Sequence, residues 1–132
     1  MVQINKTEDS FTAEQVWITD QMKNLVNSSV YFEGHLYGFD KAILKSLNAK
    51  TGEENWKARG FGRGSLILAD GNLIALGERG NLGLIEATPE SYRLISSAEV
   101  LEGKSWTSPT LANGRLYLRS TKEIVSLKLS AE

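Results

Sequence analysis

Few residues of this chain stand in a pattern that does chemistry. His35 is the single histidine among 132 residues, and one imidazole directly after a hairpin glycine makes neither a zinc site nor a recognisable triad. Gly60-Phe-Gly62-Arg-Gly64-Ser65 places glycine at every second position, as a phosphate loop does. It lacks the Gly-Lys-Ser/Thr ending and precedes a strand-like run instead of a helix, so it reads as a turn between elements. The acidic pairs Glu8-Asp9 and Glu53-Glu54 fall near the terminus or at a turn. A calcium site needs six to eight oxygens brought together, and solvated charge explains both pairs better. Three residues are candidates for a rim or channel contact: Arg63 and Arg119 beside inner-strand regions, and Trp106 just before one, although inter-blade packing is the stronger reading for a tryptophan at blade spacing. Solvent exposure or a surface ion pair is the competing reading for the two arginines.

Composition narrows the partners further. Fifteen basic and sixteen acidic residues, without a block of like charge, give a formal charge of −1. No basic stripe is available for counterion release, so nucleic acid is not an expected partner. Cysteine is absent, which removes disulfides, thiolate metal sites and cysteine nucleophiles together. No run reaches the roughly 18 apolar residues that span a bilayer, and Met1 to Ser10 has no apolar signal-peptide core. A cytoplasmic location is expected for the chain as written, and a periplasmic one if it is cut from an exported parent.

The elements that must hold these residues repeat. Ser28 to Gly34, Ser65 to Gly71 and Ser108 to Gly114 share one layout: a serine, an apolar run, then an acidic or amide residue before glycine. The glycines lie 37 and 43 residues apart. Periods of roughly 40 to 45 residues with several short strands each mark β-propeller blades. Each x-Gly pair is a hairpin signal between two strands, the first predicted over Ser28 to Phe32, Ser65 to Ala69 and Ser108 to Ala112. A third strand follows at Ile43 to Leu47, Leu82 to Ile85 and Ile124 to Leu129, and a fourth at Glu54 to Ala58 and Tyr92 to Ser96. Gln15-Val16-Trp17-Ile18 resembles the segment around Trp56, 39 residues on, and is predicted as an outer strand. Val2 to Ile4 is a further strand candidate, and Asp20 to Leu25 is too short for a stable helix and serves as a connector.

Ser46-Leu-Asn48-Ala-Lys-Thr51-Gly52-Glu-Glu-Asn-Trp56 resembles the Ala-x-Asp-x-x-Thr-Gly-x-x-x-Trp motif of the pyrroloquinoline-quinone-type β-propellers. Thr51, Gly52 and Trp56 match by position, while Ser46 and Asn48 stand at the motif's Ala and Asp. The resemblance implies that the tryptophan lies between neighbouring blades and that the Thr-Gly turn holds the outer hairpin, a structural role. It runs from about Val16 to Leu129, and such relatives commonly have seven or eight blades.

The expected fold is therefore all-β, with propeller blades of four antiparallel strands and about three blades in the chain. Residues 1–26 would supply outer strands of an incomplete blade and a connector. Residues 27–60 and 61–103 would be blades, and 104–132 a blade without its outer strand. Fewer than four blades cannot close a ring, so the chain is expected to self-associate, with a dimer favoured. The expected function is a non-catalytic module that binds a protein or small molecule and uses no cofactor. The alternative is a fragment of a quinone-dependent dehydrogenase that needs further blades or subunits.

Overall fold

In all three repeats the residue before the hairpin glycine shares its positive φ. Glu33 and Gly34 lie at 45° and 84°, Asp70 and Gly71 at 47° and 70°, Asn113 and Gly114 at 50° and 70°. Two left-handed residues in succession make a type I′ turn, whose twist matches the strands that it joins. Around these turns the computed structural model, which describes residues 1–129, builds an all-β molecule.

Among the described residues thirteen strands form four antiparallel sheets. β1 (Val2–Lys6) and β2 (Phe11–Gln15) make a separate hairpin. β3 (Val30–Phe32), β4 (His35–Asp40), β5 (Ile43–Asn48) and β6 (Glu54–Ala58) form the first blade in simple meander order. β7 (Ser65–Ala69), β8 (Asn72–Leu76), β9 (Asn81–Glu86) and β10 (Leu94–Glu99) repeat that order in the second. β11 (Thr110–Ala112), β12 (Arg115–Arg119) and β13 (Ile124–Lys128) form a three-stranded third sheet. The last three residues of the expected 104–132 blade lie outside the described residues.

The period-2 alternation of the strands turns apolar side chains toward the neighbouring sheet, and the three larger sheets stack through these faces. Tyr37, Phe39, Leu44 and Trp56 of the first blade meet Leu66, Leu73, Ala75 and Ile85 of the second in one buried cluster. Ile74 and Leu76, on the other face of the second blade, meet Leu116 and Leu118 of the third in another.

Trp56 bolts the first interface. Its ring is 6.0 Å from that of Tyr37 and 5.7 Å from that of Tyr92, and its Nε1 donates to the Thr88 carbonyl at 2.7 Å. Trp17 makes the same bond one blade earlier, donating to the Ala49 carbonyl at 3.1 Å. Both bonds span 32 residues. The turn that receives Trp17 is the Thr-Gly motif. Asn48 does there what an aspartate would do, its Oδ1 accepting from the backbone N–H groups of Lys50 at 2.8 Å and Thr51 at 3.2 Å. Thr51 Oγ1 accepts from the Glu53 N–H at 3.3 Å, and Gly52 adopts φ +78° beneath the Trp17 ring.

Most strand boundaries differ from the expectation by a residue or two, and four strands differ in an instructive way. The N-terminal outer strand, predicted over Gln15 to Ile18, ends at Gln15, and its partner is β1. Trp17 leaves the ladder because its side chain is committed to Ala49 and Gly52, while its carbonyl accepts from the Met1 amino group at 2.6 Å. The inner strands of the first and third repeats start two residues late. Ser29 Oγ accepts from the Asn24 side chain at 2.9 Å, and Pro109 has no N–H to give to a ladder. β10 is shifted to Leu94–Glu99 because Tyr92 turns aside to meet Trp56. The strand over Ser65–Ala69 stands as predicted.

Candidate functional site

Successive connections of an antiparallel meander leave a sheet at alternate ends. The turns between second and third strands therefore share one end with the connectors that lead from each blade to the next. One bond repeats there in every blade, from a turn N–H to a connector carbonyl: Lys41 to Lys23 at 3.4 Å, Glu78 to Phe61 at 2.7 Å and Thr121 to Lys104 at 2.8 Å.

Glu78 gathers this end of the molecule. Its carboxylate accepts from the Trp106 indole N–H at 3.1 Å and from the Arg63 backbone N–H at 3.3 Å. Its backbone carbonyl accepts from the Ser105 N–H at 2.8 Å. Lys104 Nζ stands 4.0 Å from the same carboxylate and 4.3 Å above the Trp106 ring, a cation–π arrangement. The Arg119 carbonyl accepts from Ser105 Oγ at 2.7 Å and Thr107 Oγ1 at 3.1 Å.

Arg63, Trp106 and Arg119 thus lie at one end of the blades, linked through Glu78 and the connector 100–109. Trp106 is 42% exposed. The side chains of Arg63 and Arg119 are exposed and form no ion pair among the described residues. A cavity of about 450 Å³ lined by Glu78, Arg79, Gly103 and Lys104 opens alongside. The Trp106 indole with the Lys104 ammonium over it is thus a half-exposed aromatic–cation pair at this end of the blades. Glu78, the residue that holds it together, carries no sequence signal: its partners lie 15 and 28 residues away.

The remaining candidates are structural. His35 Nδ1 lies 3.0 Å from Asn55 Nδ2, and that amide also donates to Ser46 Oγ at 3.0 Å. Lys45, only 5% exposed, has its ammonium within 3.2 Å of Asp40, 3.0 Å of Glu54 and 3.0 Å of the Gln21 side chain. Burial works against its charge, but the hydrogen bonds and ion pairs with Glu54 and Asp40 outweigh it, and its pKa lies above the ordinary lysine value. Hydrogen bonding to Lys45 in turn holds the Glu54 carboxyl below the usual carboxylate range. Tyr37 Oη is buried without a hydrogen-bond partner among the described residues, and burial pushes its phenol up.

The residues do not fit the quinone and calcium that the sequence resemblance brings to mind. No cysteine is present, and among the described residues no group of three or more His, Cys, Asp or Glu is arranged to hold a cation. No helix among those residues is long and apolar enough to cross a membrane.

No protein-family model and no curated protein matches the sequence. Among solved structures the chain is similar to BamB from Moraxella catarrhalis, at 19% identity with a TM-score of 0.59 over 74% of this chain and 30% of that one. It also aligns with the computationally designed Ika4 protein, at 7% identity with a TM-score of 0.42, over 83% of this chain and all of the other. The likeness to the β-propeller BamB shows the fold: the sheets are propeller blades, and the chain spans about a third of BamB's length.

Proposed function

We propose that this chain is a non-catalytic β-propeller interaction module, completed by a second copy of itself, with the Trp106 end of the blades as its recognition surface. The chain divides into outer strands and connector over residues 1–26, blades over 27–60 and 61–103, and an unfinished blade over 104–132.

The observation that carries self-association is on the outward face of the third blade. Tyr117 lies opposite Ser126 there, as Tyr37 lies opposite Ser46 in the first blade. In the first blade Trp56 of the fourth strand pairs with Ser46 and covers Tyr37. The third blade has no fourth strand among the described residues, and Tyr117 is left 41% exposed and Ile124 74%. Trp17 is the repeat partner of Trp56 and is carried just beyond β2. A second copy can therefore lay its β2 along β13, with β13 taking the place that β1 holds in the single chain, and bring Trp17 over Tyr117.

Charge favours the same joint. Residues 1–20 carry Glu8, Asp9, Glu14 and Asp20 against Lys6 alone, whereas residues 110–129 carry Arg115, Arg119, Lys122 and Lys128 against Glu123. Two reciprocal joints make a two-fold ring of six blades and bury both ends.

Light scattering tests this. The expected mass is twice the 14.6 kDa of the chain, lost on deletion of residues 1–19 and kept on deletion of residues 1–9, which removes β1 but leaves β2 and Trp17. A folded monomer at high concentration overturns self-association.

A further inference from the structure

The second and third blades meet without a tryptophan on the fourth strand. β6 and β10 are bulged at the same place: Glu54 pairs with Leu47 and Trp56 with Ser46, while Leu94 pairs with Ile85 and Ser96 with Leu84. Ser96 therefore occupies in the second blade the position that Trp56 holds in the first. Its neighbour is reduced as well. Tyr37, opposite Ser46, corresponds to Ile74, opposite Leu84. An aromatic pair at one interface is thus an Ile and a Ser at the next.

Leu84 stands where the first blade has Ser46 and takes up part of the missing volume, but not all of it. A cleft of about 340 Å³ lies between the two blades, bounded by Ile74, Leu82, Leu84, Ser96, Leu116 and Leu129. Its walls are mostly leucine and isoleucine, with the Ser96 hydroxyl at the exposed rim. A backbone acceptor also stands beside the cleft. Ala49, Ala87 and Leu129 are equivalent, since each donates its N–H to the carbonyl of its blade's hairpin glycine: Gly34 at 2.9 Å, Gly71 at 3.0 Å and Gly114 at 2.8 Å. Ala49 uses its carbonyl to accept the Trp17 indole. The Leu129 carbonyl stands in the third blade where Ala49 stands in the first, while Trp56 uses the carbonyl of Thr88, the residue after Ala87.

We infer that this cleft is a binding site for a free, planar aromatic molecule of indole size that carries one N–H donor. The ring has to come without a polypeptide attached in the manner of Trp17 or Trp56, because β10 already supplies the strand from which such a tryptophan would project. Pockets of a few hundred Å³ with apolar walls and a few polar groups are the usual form of small-molecule sites. Both walls belong to one chain, so the site does not depend on self-association.

Indole itself is the probe, titrated into the full chain and followed by calorimetry and by the methyl resonances of Leu82, Leu84, Leu116 and Leu129. Saturable binding of one indole per chain with shifts at these methyls is expected. 1-Methylindole, which has no N–H to donate, should bind at least tenfold more weakly. Ser96→Trp, which fills the cleft from within, should reduce indole affinity at least tenfold. Should that variant fail to fold, Ser96→Glu, at the exposed rim, should produce the same loss. Absence of saturable shifts up to the solubility of indole overturns the site, and so does unchanged affinity in the folded Ser96 variants or equal affinity for 1-methylindole.

Discussion

The ring of Trp17 lies over Gly52 so closely that a Cβ on that residue would stand 2.9 Å from the ring carbon Cε3. Gly52 is also at φ +78°, where any other residue is strained. Gly34, at φ +84°, has nothing within 4 Å of the same added carbon. Gly34→Ala should therefore cost about 1–2 kcal/mol, the left-handed strain alone. Gly52→Ala should cost roughly 1–3 kcal/mol more, since the indole must move. Urea denaturation of the two variants decides it, and equal costs would show that Trp17 does not bear on the turn.

Two tryptophans should respond oppositely to truncation. Trp56 is buried between blades, and Trp56→Ala should lose about 3–5 kcal/mol of stability. Trp106, at 42% exposure and held mainly by Glu78, should lose less than about 1 kcal/mol as alanine. Thermal unfolding of the pair separates a bolt from a surface platform. A large loss for Trp106→Ala would assign that ring to the core.

The Lys45 cluster predicts the limits of the pH range. Glu54 has a depressed pKa, so its contribution is complete above the ordinary glutamate value of about 4.3 and fades as pH falls through the folded value. Lys45 has a raised pKa, so its contribution is complete below about 10.4 and fades as pH rises beyond that. Lys45→Met should lower stability at neutral pH and flatten the acid limb. Unfolding midpoints at pH 7 and pH 3.5 that fall equally in parent and variant would remove Lys45 as the cause.

Glu78→Gln keeps the shape of the side chain and removes the charge that the Trp106 indole and Lys104 share. The Trp106 indole N–H should exchange with solvent several-fold faster in this variant, with the indoles of Trp17 and Trp56 unchanged. Hydrogen exchange followed on the three indole resonances measures this. A uniform change at all three would mean that the substitution loosens the whole molecule.

What could be read in the sequence was what is local. The x-Gly turns rest on two adjacent residues, and the third strands and β6 on short apolar patterns bounded by them, so their places emerge without tertiary knowledge. The Lys45 and Glu78 clusters were hidden because they join residues 5 to 28 positions apart, from different strands and connectors. The equivalence of Ser96 and Trp56 was hidden by loop length. Counting from the hairpin glycine, β6 and β10 begin at different distances, and only the shared bulge aligns them. The N-terminal strand was misplaced for the opposite reason, since Trp17 imitates Trp56 in sequence while its backbone has already left the ladder.

The 32-residue reach of the tryptophan bonds also sets an order of assembly. As the chain leaves the ribosome each meander can close on its own neighbouring strands, because its contacts are short in sequence. Trp56 finds the Thr88 carbonyl only after β9 has been made, and Trp17 must wait in the same way for the residue after β5. The N-terminal hairpin and the first blade are thus each locked retrospectively by the blade that follows, and a nascent chain stopped before Ala49 would carry the hairpin and an indole with nowhere to go.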